Sequence, residues 1–270
     1  MSRTKRISRL DGLTAEVVAN AEVTAPVEPA TADARDEMTR LRALDYGRAL
    51  RSCLSGAEVR EIVSEAKRKA WPHLNKEAVR LGSMREFAAR ASVLGADFRI
   101  ARMSWPSGLA LFGFYLGTDA GLEKRPLICV NGAHHRAAVG TAFLHEVGHH
   151  VTARLFSKRD LPVQLSRPSG YQGHLDDPRE LSADIMVSLG IFPRETAMEL
   201  FGRFGRRAVI KDAAPEQEPA LAGMTRALAY TGRRYGLDLE SLPTQQKIQY
   251  GAGLIHFTKL REALLNEYDL

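Results

Sequence analysis

The run TAFLHEVGHHVTAR, residues 141–154, places the tightest limits on what this chain can become, because it sets His145, Glu146 and His149 in the order His-Glu-x-x-His. Residues four apart share one face of an α-helix, so a helix here aims both imidazoles at one point, and Glu146, one step around, addresses whatever is bound there. Two imidazoles converging in this way suit a divalent metal, with Glu146 placed to take a proton from a water on it. Ala142, Phe143, Leu144, Val147, Val151 and Leu155 add an apolar stripe at helical spacing, uninterrupted by proline. Beside such a stripe, two histidines and a glutamate are costly to desolvate without a partner, and a metal supplies one. Gly148, a poor helix former, marks a point where another element packs close.

Composition narrows the class. At 270 residues, 44% hydrophobic and 26% charged, the chain reads as globular and soluble, with one large or two modest domains. The apolar runs are too short to span a membrane, and MSRTKRISRLDGLTAEVV lacks the apolar core of a signal peptide, so a cytoplasmic protein is expected. Cys53 and Cys129 stand in separate expected elements with no CxxC, and read as buried thiols. A net charge of +6 and a pI near 9.4 permit nucleic-acid contact, but the cations are interleaved with acids and no block of like charge stands out.

Taken in order, residues 1–36 have neither helical nor strand period and read as a disordered tail. Helices are expected over 36–54, from Ser55 to Trp71-Pro72 with Glu58 completing a capping box, over 76–81, and from Ser83 to Gly95 with Glu86 completing a second box. The period then changes: 98–103, 109–116 and 126–130 read as three short strands of an antiparallel sheet, placed beside the motif helix. A polar loop with three prolines is expected over 157–178, then a helix over 179–189, then helical pattern from 194 to the end.

A catalytic zinc site takes three protein ligands, so one is missing from the motif itself. Two downstream candidates present themselves. His174 lies in the expected loop; Glu180 lies in RELSADIMV, with Asp184 four residues on and on the same helical face. In the second arrangement Glu180 binds the metal and Asp184 accepts a hydrogen bond from the far nitrogen of a ligating histidine, fixing its tautomer.

The run PLICVNGAHHRAAVGTAFLHEVGHHV followed by RELSADIMVSLGIFP resembles the ImmA/IrrE family of metallopeptidases, which show a strand ending in Asn, a His-Glu-x-Gly-His helix and a later Glu-x-x-Ala-Asn/Asp helix ending near Pro. Glu180, Ala183, Asp184 and Pro193 fall at the matching positions, and the likeness covers about residues 83–193. Val147, Met186 and Gly190-Ile191-Phe192 depart from the commoner residues without touching the chemistry. The resemblance implies a mostly helical, zincin-like α+β domain, expected over 37–193, followed by a helical region over 194–270. It implies the ligand set His145, His149 and Glu180, with Glu146 as general base, holding one Zn2+; Mn2+ and Fe2+ are the other ions such a set accepts. Tyr171 and His174, just before the Glu180 helix, are candidates for a second electrophile.

The expected activity is that of a zinc endopeptidase of narrow specificity. By resemblance its substrate is a regulatory protein such as a DNA-binding transcriptional repressor, in a stress response. A different class of function, a metal-containing regulator that sequesters a DNA-binding partner without cutting it, is the alternative. Direct DNA binding through FGRFGRRAVIK and TGRRYG is the weakest of the three, since no helix-turn-helix accompanies those cations.

Overall fold

The computed structural model describes residues 40–41, 43–80, 82–102, 112–117, 125–157, 170–203 and 244–270. The tail over 1–36 and the cationic stretches at 204–211 and 231–236 lie outside them.

Local signals account for most of the first half. Asp45 is extended and its carboxylate accepts the Arg48 N–H at 2.9 Å, opening α1, Tyr46–Cys53. That cap breaks the single helix expected over 36–54: residues 40, 41 and 43 are helical, but a new helix starts at Tyr46. Ser55 and Glu58 form the reciprocal capping box of α2, Gly56–Lys69, and Ser83 and Glu86 that of α3, Met84–Val93. Gly95, at φ 79°, turns the chain from α3 into the sheet, a conformation that favours glycine.

Residues 76–80, expected to be helical, are not. Asn75 takes φ 71°, and the backbone beyond it is tied elsewhere: the Val79 N–H donates to the Gly190 carbonyl, and the Arg194 N–H to the Asn75 carbonyl, both at 2.9 Å. A helix would need those groups for itself.

The sheet has strands β1 (Asp97–Ala101), β2 (Gly113–Leu116) and β3 (Leu127–Asn131) in the order β1-β3-β2. It is mixed, which corrects the expectation of an antiparallel sheet. β2 and β3 pair antiparallel, with Leu116 opposite Leu127, but β1 runs parallel to β3, Asp97 opposite Leu127 and Ala101 opposite Asn131. β3 lies between the other two strands, and because β2 runs opposite to both, β1 and β3 run in the same direction.

β3 feeds α4, Arg136–Phe156, through Asn131-Gly132 and a cap by His135, whose Nδ1 accepts the Ala137 N–H at 3.3 Å. Phe143 of α4 stacks on Phe87 of α3 at 4.4 Å and meets the edge of Phe98 of β1 at 5.6 Å, which locks helix, sheet and helix together.

A short helix α5, Gly170–Asp176, stands where a loop was expected, and α6, Pro178–Ile191, follows at once, capped by Asp177 with Pro178 in its first turn. Every residue of α6 from Leu181 to Ile191 is buried. A helix without a wet face has to be covered all round; α2, α4, α5 and α8 (Thr244–Tyr268) supply the cover, and α7, Arg194–Arg203, lies between α6 and α8 in sequence. At the crossing of α4 and α6 a Cβ on Gly148 would lie 2.7 Å from Ala183 Cα, so this glycine sets how closely the two helices approach. Among the described residues no helix is long and apolar enough to cross a membrane. Cys129 is buried and Cys53 partly so.

Candidate metal centre

The close crossing at Gly148 brings the motif face of α4 against the Glu180 face of α6. His145 and His149, one helical turn apart, turn their Nε2 atoms to within 2.9 Å of each other. Glu180 Oε2 lies 3.1 Å from His145 Nε2 and 3.4 Å from His149 Nε2. These three atoms form a triangle whose sides match the roughly 3.3 Å ligand spacing expected around a tetrahedral zinc with bonds near 2.0–2.1 Å.

A second trio, His145, His174 and Asp184, also brings its ligand atoms within 4.8 Å of one another, but its chemistry differs. Asp184 Oδ1 lies 2.8 Å from His145 Nδ1, and Oδ2 lies 2.8 Å from His174 Nδ1 and 2.9 Å from His256 Nε2. A carboxylate only accepts, so each of these contacts is an N–H donated to Asp184 and requires no metal. In the first trio His145 Nε2 is an acceptor once its ring is neutral and Glu180 only accepts, so a single Nε2–H on His149 is all that could be shared among the three atoms, whereas a cation between them satisfies every one. The donor set of His145, His149 and Glu180 therefore fits a divalent metal, and Asp184 fits the post behind it. Exposure agrees: the Glu180 side chain is 31% exposed and Asp184 0%, so the triangle opens toward solvent and the post is closed off.

The charge states follow from this geometry. Burial opposes the charged form of Asp184, but His174, His256 and His145 around it hold its carboxyl well below the usual range. At Glu180 burial likewise works against ionisation and is outweighed by His149 and His145, which lower its pKa. For His145, burial favours the neutral ring, yet Asp184 and Glu180 raise its pKa well above that of a free imidazole. A proton shared toward Glu180 occupies the place a metal would take. His174 is raised in the same manner, burial being overcome by Asp184, whereas burial prevails at His256 and lowers it.

Glu146 is 5% exposed, and burial raises its pKa against the opposing pull of His145 and His149. Strand β2 passes directly over it: a Cβ at Gly113 would sit 3.0 Å from Glu146 Oε1 and 2.8 Å from the Cys129 carbonyl oxygen. Tyr115 of the same strand lies over His149, rings parallel within 18° and centroids 6.4 Å apart. His150 points away from the trio and contacts the Leu94 carbonyl through Nε2 at 2.9 Å.

Of the residues singled out from sequence, His145, Glu146, His149, Glu180, Asp184 and His174 come together here. Tyr171 stands one step off, on α5 rather than in a loop. Its ring stacks on His256 at 4.7 Å, and its hydroxyl lies so near α8 that a Cβ at Gly253 would be 2.6 Å from it. His256 itself is the residue that sequence reasoning missed. It sits in the run GLIHFTKL, and the one available signal was a histidine amid apolar residues of a helix that otherwise reads as core. His134 packs its ring on Phe112 at 4.4 Å.

Compared with known proteins, the chain matches no family model, no curated protein and no solved structure.

Proposed function

We propose that this chain is a zincin-like, zinc-dependent endopeptidase of narrow specificity, related to the ImmA/IrrE metallopeptidases and working in the cytoplasm. The observation that carries the reading is the convergence of His145 Nε2, His149 Nε2 and Glu180 Oε2 to within 3.4 Å of one another, with the Glu146 carboxyl buried one step away on the same helix.

His145, His149 and Glu180 hold the ion, and two imidazoles with one carboxylate suit zinc better than manganese or iron. A bound Zn2+ supplies Lewis acidity, bringing the pKa of a water to roughly 7 and polarising the scissile carbonyl. Glu146 accepts the proton of the attacking water on its carboxylate and returns it to the departing amine; a pKa lifted by burial suits a group that has to give the proton back. His174 gives its Nδ1–H to Asp184, which raises the pKa of the ring against burial, and in its doubly protonated form it donates Nε2–H to the developing oxyanion. The residue pattern that resembles ImmA/IrrE peptidases supports a substrate that is itself a regulatory protein, such as a transcriptional repressor.

Replacing Glu146 by Gln keeps the shape and leaves the three ligands in place. Zinc-loaded wild-type chain, incubated with a mixed protein extract and read by mass spectrometry of new N-termini, is expected to produce a small set of cuts. Glu146→Gln should retain zinc and reduce those cuts by about 10²–10⁴-fold. New N-termini that persist undiminished in Glu146→Gln would exclude Glu146 as the base. A zinc-replete wild type that cuts nothing while retaining a DNA-binding protein would favour the sequestering regulator instead.

A further inference from the structure

The candidate ligands come from α4 and α6, yet the post behind them is also gripped from α8. His256 has no solvent exposure. Its Nε2 lies 2.9 Å from Asp184 Oδ2, and its Nδ1 lies 3.0 Å from the Tyr46 hydroxyl on α1. Because Asp184 can only accept, the His256 proton is on Nε2, and the lone pair left on Nδ1 receives the Tyr46 O–H. The directions are thus set from end to end: Tyr46 donates to His256, His256 to Asp184, and His145 to the other oxygen of Asp184 at 2.8 Å. Ring contacts hold the histidine in place, Tyr171 stacked at 4.7 Å and Phe257 edge-on at 5.2 Å.

A phenylalanine would fill the same space without a polar group to desolvate, so simple packing gives no reason for an imidazole there. We infer that His256 is a positioning residue for the metal ligand His145: it holds Asp184 in the orientation whose free oxygen takes the His145 Nδ1–H, which turns His145 Nε2 toward His149 and Glu180. The inference rests on the metal reading of those three residues. It adds that α8 and α1, far away in the chain, set the geometry of a ligand they never touch. Losing a partner of this kind typically weakens metal binding without removing a ligand.

The test uses the full chain and two readouts. Zn2+ affinity is measured by competition with a chromophoric chelator, and solvent exchange of the His145 Nδ1–H by NMR on the metal-free, 15N-histidine-labelled protein. His256→Phe should weaken zinc binding by about 10–100-fold and accelerate that exchange, while His256→Gln, which restores an N–H toward Asp184, should recover most of both. Leu264→Ala, a buried truncation on the same helix, should lower stability and leave zinc affinity in place. Should His256→Phe fail to fold, Tyr46→Phe, which removes one oxygen, is expected to shift both readouts in the same direction by less. Unchanged affinity and exchange in a folded His256→Phe, or in Tyr46→Phe where that variant stands in, would overturn the inference. So would a His256→Gln chain as impaired as His256→Phe. A wild type that takes up no zinc would instead sink the metal reading, and the exchange rate alone would then decide the role of His256.

Discussion

The ring of His145 has its two nitrogens turned toward different kinds of neighbour. Nδ1 faces Asp184, which wants a proton there permanently; Nε2 faces Glu180 and His149, which accept either a proton or a metal. Metal and proton therefore compete for one atom. Asp184 and Glu180 raise the pKa of His145 against burial, which favours the second proton on the ring, so a metal has to compete with that proton for Nε2. The sign follows: acidification favours the protonated ring and weakens zinc, whereas raising the pH strengthens zinc until His145 has lost that proton unaided. Calorimetric titration of Zn2+ in buffers of different ionisation enthalpy should register proton release near neutral pH. Heats that do not depend on the buffer would mean that no proton is displaced and that the charge assignment at His145 is wrong.

At the level of elements, the decisive contact is α4 against α6. In a solvent-facing helix Gly→Ala is stabilising by about 1 kcal/mol. At Gly148 the sign should reverse, because the new Cβ would meet Ala183 Cα at 2.7 Å. We expect Gly148→Ala to cost about 1–3 kcal/mol by thermal or denaturant unfolding, with zinc affinity falling as the two ligand-bearing faces separate. A neutral or stabilising result would show that α4 and α6 are not in such close contact. This glycine illustrates what could be read in advance: as a poor helix former inside a strong helical pattern it announced a close neighbour, though not which one. The capping boxes at Ser55 and Ser83, the motif face of α4 and the Glu180/Asp184 face of α6 were legible for the same reason, since each depends on residues three or four apart. Strand direction was not. Whether β1 runs with or against β3 depends on the order in which the three strands pair, and neither strand encodes that. The helix expected over 76–81 is absent over 76–80 for a similar reason, because the Val79 N–H and the Asn75 C=O are claimed by Gly190 and Arg194, more than a hundred residues on.

For the molecule as a whole, an α6 buried from Leu181 onward makes the site a product of distant parts of the chain. α4 and α6 bring the candidate ligands, while α1 and α8 complete the polar chain behind them, with 210 residues separating Tyr46 from His256. That span is why the motif could be found in sequence and its support could not: periodicity reveals who shares a helix face, and says nothing about which remote helix covers it. An ion held by the folded chain and not by the unfolded one should also stabilise it, by about 2.7 kcal/mol at a hundredfold excess over Kd. The most direct test of the central claim is metal analysis of purified wild type beside Glu180→Gln, in the same preparation. The account predicts one zinc per wild-type chain and loss of most of it in the variant, since Glu180 supplies one of three ligands. A Glu180→Gln chain that is folded and as zinc-replete as wild type would contradict it.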